Sequence, residues 1–204
     1  MAGAKQRKLT RRGTRRRQQL LGAAGRLFSE QSYHGTTVGD VCDALGVGKG
    51  VFYWYFESKE ALFSELLSSS LLLLRRAQHA AIENVSDPVD RLANGIRASI
   101  GFFRANPEVL ALIRIAGRYE EFQGLVERGQ EIVVADTANH LKEGMAAGSI
   151  RHGDPELMAH GILGAIFHFV EIYFENDPEG SSDRPALEDE AITFCLRGVL
   201  ETSR

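Results

Sequence analysis

The chain has 204 residues, of which 44% are apolar and 25% charged, and a formal charge of −3. That is enough for one sizeable core and a smaller satellite domain, and the balance is that of a globular protein. Two cysteines, Cys42 and Cys195, lie far apart without the spacing of a metal site or redox pair, and no apolar run approaches the roughly 20 residues that span a bilayer.

The total charge conceals a division. Residues 1–60 hold 11 Lys and Arg against 5 Asp and Glu, whereas residues 61–204 hold 13 against 22. Such asymmetry is expected when one lobe meets phosphates and the other must stay off them. No stretch alternates long enough for a strand, and the five prolines all fall between helical patterns, which predicts an all-α chain.

Residues 1–16 read as a basic, flexible arm: from Lys5 through Arg17 there are eight basic side chains and no acid. It either adds sequence-independent phosphate contacts, reaches into a minor groove, or is a solvated tail. A secretory signal fails for want of an apolar core, and a transit peptide fits the arginines but not the pair of short helical patterns behind them. The first helix is predicted from about Arg15 to Gln31, with Leu20, Ala24, Leu27 and Phe28 as its buried stripe.

After a connector at 33–35, Thr37 and Asp40 have the form of a capping box opening a second helix. Val38, Val41, Cys42 and Leu45 recur at helical spacing, and Gly46 stops the helix where a left-handed turn is needed. Cys42 reads as a small buried hydrophobe, with a redox sensor as the alternative. Gly48 is an acceptable N-cap for a third helix, Lys49 to Tyr55. Val47, Phe52 and Phe56 form its apolar stripe, which turns Lys49, Gly50, Tyr53 and Trp54 outward. Two short helices joined by a tight corner make a helix-turn-helix, whose second helix can enter a major groove. The Tyr53 hydroxyl can bond phosphate, Trp54 can pack on sugar or a thymine methyl, and Gly50 permits close backbone approach. The alternative folds both aromatics back over Leu62 and Phe63.

From Arg17 to Leu67 the chain resembles the TetR family of bacterial transcriptional regulators, through AAGRLFSEQSY and then TTVGDVCDALGVGKGVFYWYFESKEALF. Two positions depart from the family's usual residues: Ser32 stands where glycine is common, and Gly48 where serine is. The resemblance implies that Thr37 touches phosphate as well as capping its helix, and that Lys59 meets the DNA backbone. It also implies an N-terminal three-helix DNA-binding domain, here residues 17–58, followed by a helical effector-binding and dimerisation domain, residues 59–204.

Ser58 caps a fourth helix, Lys59 to about Asn84, whose leucines at 66, 67 and 71–74 cover more than one face and call for packing on several sides. Asp87-Pro88, Asn106-Pro107 and Asp154-Pro155 each read as an N-cap followed by proline at the first helical position. They open helices at about Pro88–Ala105, Pro107–Ile115 and Glu156–Asn176, with another at Tyr119–Ala147 ended by Gly148. Phe102, Phe103, Leu110, Ile113, Tyr119 and Phe122 are either core or the lining of an effector pocket. Arg114 and Arg118 either orient an anionic ligand or form surface ion pairs.

The helix over 156–176 is apolar nearly all round, and a last helix over 185–202 repeats the pattern. One face of each serves the chain's own core and the other needs a partner. Leu163, Phe167, Val170, Phe194 and Leu196 are the candidates for a homodimer interface, with Gly161, Gly164 and Ala165 allowing close backbone approach. His160, His168 and Glu171 are too isolated to predict a metal site, and no cofactor motif or nucleophile set is recognisable.

The expected protein is a dimeric regulator of the bacterial cytoplasm, on the nucleoid when bound. Its partners are a palindromic duplex operator, its own copy and a small-molecule effector, with no membrane role, no cofactor and no catalysis. Repression is preferred over activation. A constitutive DNA-binding protein without effector, and a helical enzyme or scaffold, are the alternatives.

Overall fold

The structure, a computed structural model, describes residues 10–176 and 186–200. The chain runs through α1 (Arg11–Gln31), α2 (Val38–Asp43), α3 (Lys49–Tyr55), α4 (Lys59–Ile82), α5 (Pro88–Ala105), α6 (Pro107–Arg118), α7 (Glu120–Ala146), α8 (Pro155–Asn176) and α9 (Ala186–Val199). Among the described residues there is no strand, only an isolated antiparallel bridge between Ile150 and Leu200. The fold class is all-α, as the absence of alternation predicts.

The chain forms two compact units, dividing between Ser68 and Ser69. The division falls inside α4, whereas the sequence reading ends the first domain before Lys59. The difference has a packing cause: Leu62, Phe63 and Leu67 are fully buried, and the Phe63 ring meets Phe28 and Tyr33 edge-on at 5.5 and 5.1 Å between centroids. Around these rings the first unit buries Leu20, Ala24, Val41, Cys42, Phe52 and Phe56.

Helix α1 starts about a turn earlier than its apolar stripe suggests. Thr10 caps it, its hydroxyl accepting from the Gly13 amide at 3.2 Å, and Arg11, Arg12 and Arg15 ride in solvent on the added turn. The basic stretch at 11–16 is therefore helical rather than a flexible arm; residues 1–9 lie outside the described ones. Helix α2 ends at Asp43, short of Leu45, because the turn tightens: the amides of Leu45 and Gly46 bond the carbonyls of Cys42 and Asp43. Gly46 then takes φ +62°, the left-handed conformation expected of it.

In the second unit α7 packs along α8 and α6, and α5 lies against α9, α7 and α8. The proline-marked starts hold at α5 and α8, where Asp87 and Asp154 each accept two amide hydrogen bonds. At α6 the expected cap does not form. The Asn106 amide turns back and donates to the Phe102 carbonyl at 2.8 Å, closing α5 instead of opening α6. Gly148, at φ +74°, ends α7, and Gly144 leaves room for Ile150, whose side chain fills the space that a β-carbon there would take. Leu72 and Leu73 are exposed, so the middle of α4 is not enclosed on every side within this chain. Pro178, Pro185 and the predicted last turn of α9 beyond Leu200 lie outside the described residues.

Candidate nucleic-acid interface and effector cavity

The corner between α2 and α3 is held by local hydrogen bonds that its residue types dictate. The Thr37 hydroxyl accepts from the Asp40 amide at 3.2 Å, and the Asp40 carboxylate accepts from the Thr37 amide at 2.7 Å. The Thr37 hydroxyl also donates to the Asp40 carboxylate at 2.8 Å, and the bonds that the carboxylate accepts from Thr37, amide first and hydroxyl second, hold it below its usual range, with Lys49 adding a smaller effect. A β-carbon at Gly39 would stand 3.3 Å from the Thr37 hydroxyl and 3.5 Å from the Lys49 Cε, so both side chains lie beside this glycine. Thr37 and Lys49 are thus neighbours across the corner, although they belong to different helices.

Helix α3 turns Phe52 and Phe56 into the core and leaves Lys49, Gly50, Tyr53 and Trp54 in solvent. Tyr53 is 56% exposed and Trp54 54%, so neither folds back as a lid over Leu62 and Phe63. Two large aromatics held outward on a helix whose opposite face is locked form a rigid amphipathic contact surface. Tyr53 meets the Phe52 ring edge-on at 5.4 Å and Trp54 meets Tyr55 at 4.5 Å.

Lys59 is placed differently from this set. Its ammonium donates to the carbonyls of Tyr33 at 2.9 Å and Thr36 at 3.0 Å, and it sits 4.2 Å from the centre of the Tyr33 ring. Two of its three donors are spent inside the protein. The Tyr33 hydroxyl in turn donates to Glu60 at 3.1 Å, so the start of α4 is stitched to the connector after α1. Arg17 adds a second tie, pairing with Glu65 and stacking over Phe56 at 4.8 Å. No sequence signal separates an ammonium that caps carbonyls from one that faces solvent.

The six aromatic and aliphatic pocket candidates do not converge. Phe103 and Ile113 line a cavity of about 270 Å³ in the second unit together with Leu71, Leu74, Val126 and Phe167. Leu110 and Phe122 are buried in packing, Phe102 lies against the main core, and Tyr119 meets Phe122 edge-on at 6.4 Å. A second cavity, of about 310 Å³, shares Gln78, Ser99, Leu163 and Ile166 with the first and carries Arg75, Arg91 and His140; Val133 also lines both. Sequence reasoning does not single out these polar lining residues. Arg75, Gln78 and His79 nonetheless share one helical face, a polar patch within an apolar helix that could have flagged them.

The dimer candidates also divide. Val170 is 0% exposed and is corrected from an outer face to the chain's own core, whereas Leu163 and Phe167 are half-buried and line the cavity. Leu196 is half-buried, and Phe194 is 62% exposed with its edge against Phe169 at 5.5 Å. Among the described residues of α8, Leu157 and Ile172 are the exposed large apolar ones, and nothing crowds Gly161 or Gly164. Among the described residues no group of His, Cys, Asp and Glu is placed to hold a metal, and no helix is long and apolar enough to cross a membrane. Both thiols are buried, and burial pushes Cys195 to about 11 and Cys42 upward as well, which keeps them protonated near neutrality.

A profile of bacterial regulatory proteins of the tetR family matches residues 20–66, the segment that builds this corner. The transcriptional repressor DhaR of Mycobacterium sp. (strain GP1) is 30% identical over 159 residues, 72% of this chain and 76% of its own. Among solved structures, the fatty acid degradation regulator FadR from Bacillus halodurans superposes with a TM-score of 0.81 at 19% identity, covering 94% of this chain and 98% of its own. AibR in complex with isovaleryl coenzyme A and operator DNA does so at 0.76 and 20% identity, covering 88% and 97%. At such identity these two structures speak for the fold.

Proposed function

Because the chain belongs to the TetR family of bacterial regulatory proteins, we propose that it is a homodimeric transcriptional repressor released from a palindromic operator by a small-molecule effector. The observation that carries the DNA role is the outward Lys49, Gly50, Tyr53 and Trp54 on a helix whose other face is pinned by Phe52 and Phe56. Thr37 sits at the mouth of the corner, where phosphate contacts position the helix, and its neighbour Lys49 is, with Trp54, the candidate for reading base edges. A dimer is needed because two recognition helices must be held at a fixed spacing to read two half-sites. The exposed apolar residues of α8 and α9 supply a face for that pairing.

The effector enters the second unit through the cavities lined by α4, α5, α7 and α8. Helix α4 runs unbroken from the first unit into that lining, so a ligand that prefers one placement of α4 biases the DNA-reading end. The solved complex of AibR with operator DNA and an acyl thioester supports a fold able to hold both kinds of partner. The protein acts in the cytoplasm and has no catalytic role.

The test is selection of bound fragments from random duplex DNA, repeated with Lys49→Ala, Trp54→Ala and Tyr53→Phe. An enriched inverted repeat is expected. Lys49→Ala or Trp54→Ala shifts the preferred sequence, while Tyr53→Phe weakens selected and random DNA alike. Failure to enrich any sequence near physiological salt would sink the reading.

A further inference from the structure

Helix α8 presents one continuous face to solvent. Leu157, His160, Gly161, Gly164, His168 and Ile172 are all exposed, and their helical spacing puts them on one side. A β-carbon at Gly161 or Gly164 would meet nothing within 4 Å, so another backbone can come close here.

A recess opens along each flank of this face. On the α9 side a trough of about 600 Å³ is lined by Gly161, Ala165, Phe194 and Val199. On the α7 side lies the apolar cavity of about 270 Å³, walled by Leu71, Phe103, Ile113 and Phe167.

That cavity reaches water at the same face. Among its lining residues Gln130, His160 and Gly164 are exposed, and the others are buried or half-buried. His160 and Gly164 belong to the open stripe of α8, and Gln130 is on α7. In a lone chain a ligand lying here keeps one side wet, although sites for small apolar molecules bury most of their ligand's surface. A helix is about 10 Å across, so a second copy whose backbone sits on Gly161 and Gly164 also lies over the rim at His160.

From this juxtaposition we infer that the cavity is completed by the second copy. The partner seals the mouth at Gln130, His160 and Gly164, and an apolar ligand is held in the dimer and not in the lone chain. The inference rests on the homodimer and effector reading above and deepens it. Linkage runs both ways: a ligand that needs the partner tightens the dimer as the dimer tightens the ligand. The effector then releases the operator with the two copies still joined, by changing the spacing of their recognition helices.

The experiment uses the full-length protein and N-phenyl-1-naphthylamine, an uncharged apolar fluorophore. The binding counted is that which Ile113→Trp, a substitution that fills the cavity, removes. In Gly161→Glu the new side chain has room in a lone chain but sets a carboxylate in the seam, and Phe194→Asp does the same from α9. Neither residue lines the cavity. Both variants are expected to sediment as monomers, to melt cooperatively, and to bind the fluorophore at least about tenfold more weakly than the parent dimer. In the parent, fluorophore at about ten times its dissociation constant should lower the dimer dissociation constant about a hundredfold, because two sites per dimer are filled. That linkage is read without either variant. Folded monomers that bind as tightly as the parent overturn the inference and leave the homodimer standing. Variants that remain dimeric remove this face as the seam and the inference with it, while operator selection still tests the repressor. A parent without binding sensitive to Ile113→Trp, or with a dimer dissociation constant indifferent to the fluorophore, also overturns it.

Discussion

Ser32 closes α1 at φ +70° and ψ 165°, a conformation close to exclusive to glycine. The β-carbon it carries there costs on the order of 1–3 kcal/mol, offset in part by two local bonds. Its hydroxyl accepts from the Gly35 amide at 3.3 Å, and its carbonyl accepts from the Thr36 hydroxyl at 2.9 Å. The second bond is backbone-borne and survives substitution. Ser32→Gly is therefore expected to raise stability by about 1 kcal/mol, net of the freedom glycine gains when unfolded. Thermal unfolding checks it, and a lower midpoint would mean that the hydroxyl contributes more than the strain costs.

Among the elements, α4 is tied to the connector after α1 by the hydrogen bond from Tyr33 to Glu60 and by the Lys59 ammonium. Removing it in Lys59→Met leaves the carbonyls of Tyr33 and Thr36 without that donor, in a partly buried setting. The expected loss is roughly 1–3 kcal/mol of stability, read as a lower melting temperature. Lys49→Met is the contrast: its side chain is exposed, so stability should stay within about 0.5 kcal/mol while DNA affinity falls. If Lys59→Met melts like the parent protein and instead flattens the salt dependence of DNA binding, the lysine serves phosphate after all. The resemblance of its surrounding sequence implies the phosphate role; the distances place the ammonium on protein carbonyls.

For the whole molecule, the homodimer proposed above pairs through the open face of α8 and α9. Among the described residues Phe194 is its most exposed aromatic one. A carboxylate there costs little in a monomer, where water reaches it, and much in a dimer, where it would be buried. Phe194→Asp is expected to sediment as a monomer at concentrations where the parent is dimeric, and to lose affinity for a full inverted repeat far more than for a half-site. An unchanged dimer would exclude this face as the seam.

Much of this could be read from residue order because the responsible forces are short in range. The capping box at Thr37 and Asp40, the stop at Gly46 and the buried pair Phe52 and Phe56 depend on neighbours three or four positions away, and all formed as expected. So did the outward set on α3, since a short helix with one buried face has only one other. The tertiary structure alone decided where Val170, Leu163, Phe167 and Lys59 point, and that Arg75 and Arg91 end beside a cavity. Periodicity tells which side chains leave water, but not whether they meet their own core, a cavity or a second copy. That choice depends on helices brought together across long stretches of chain, and no local spacing encodes it.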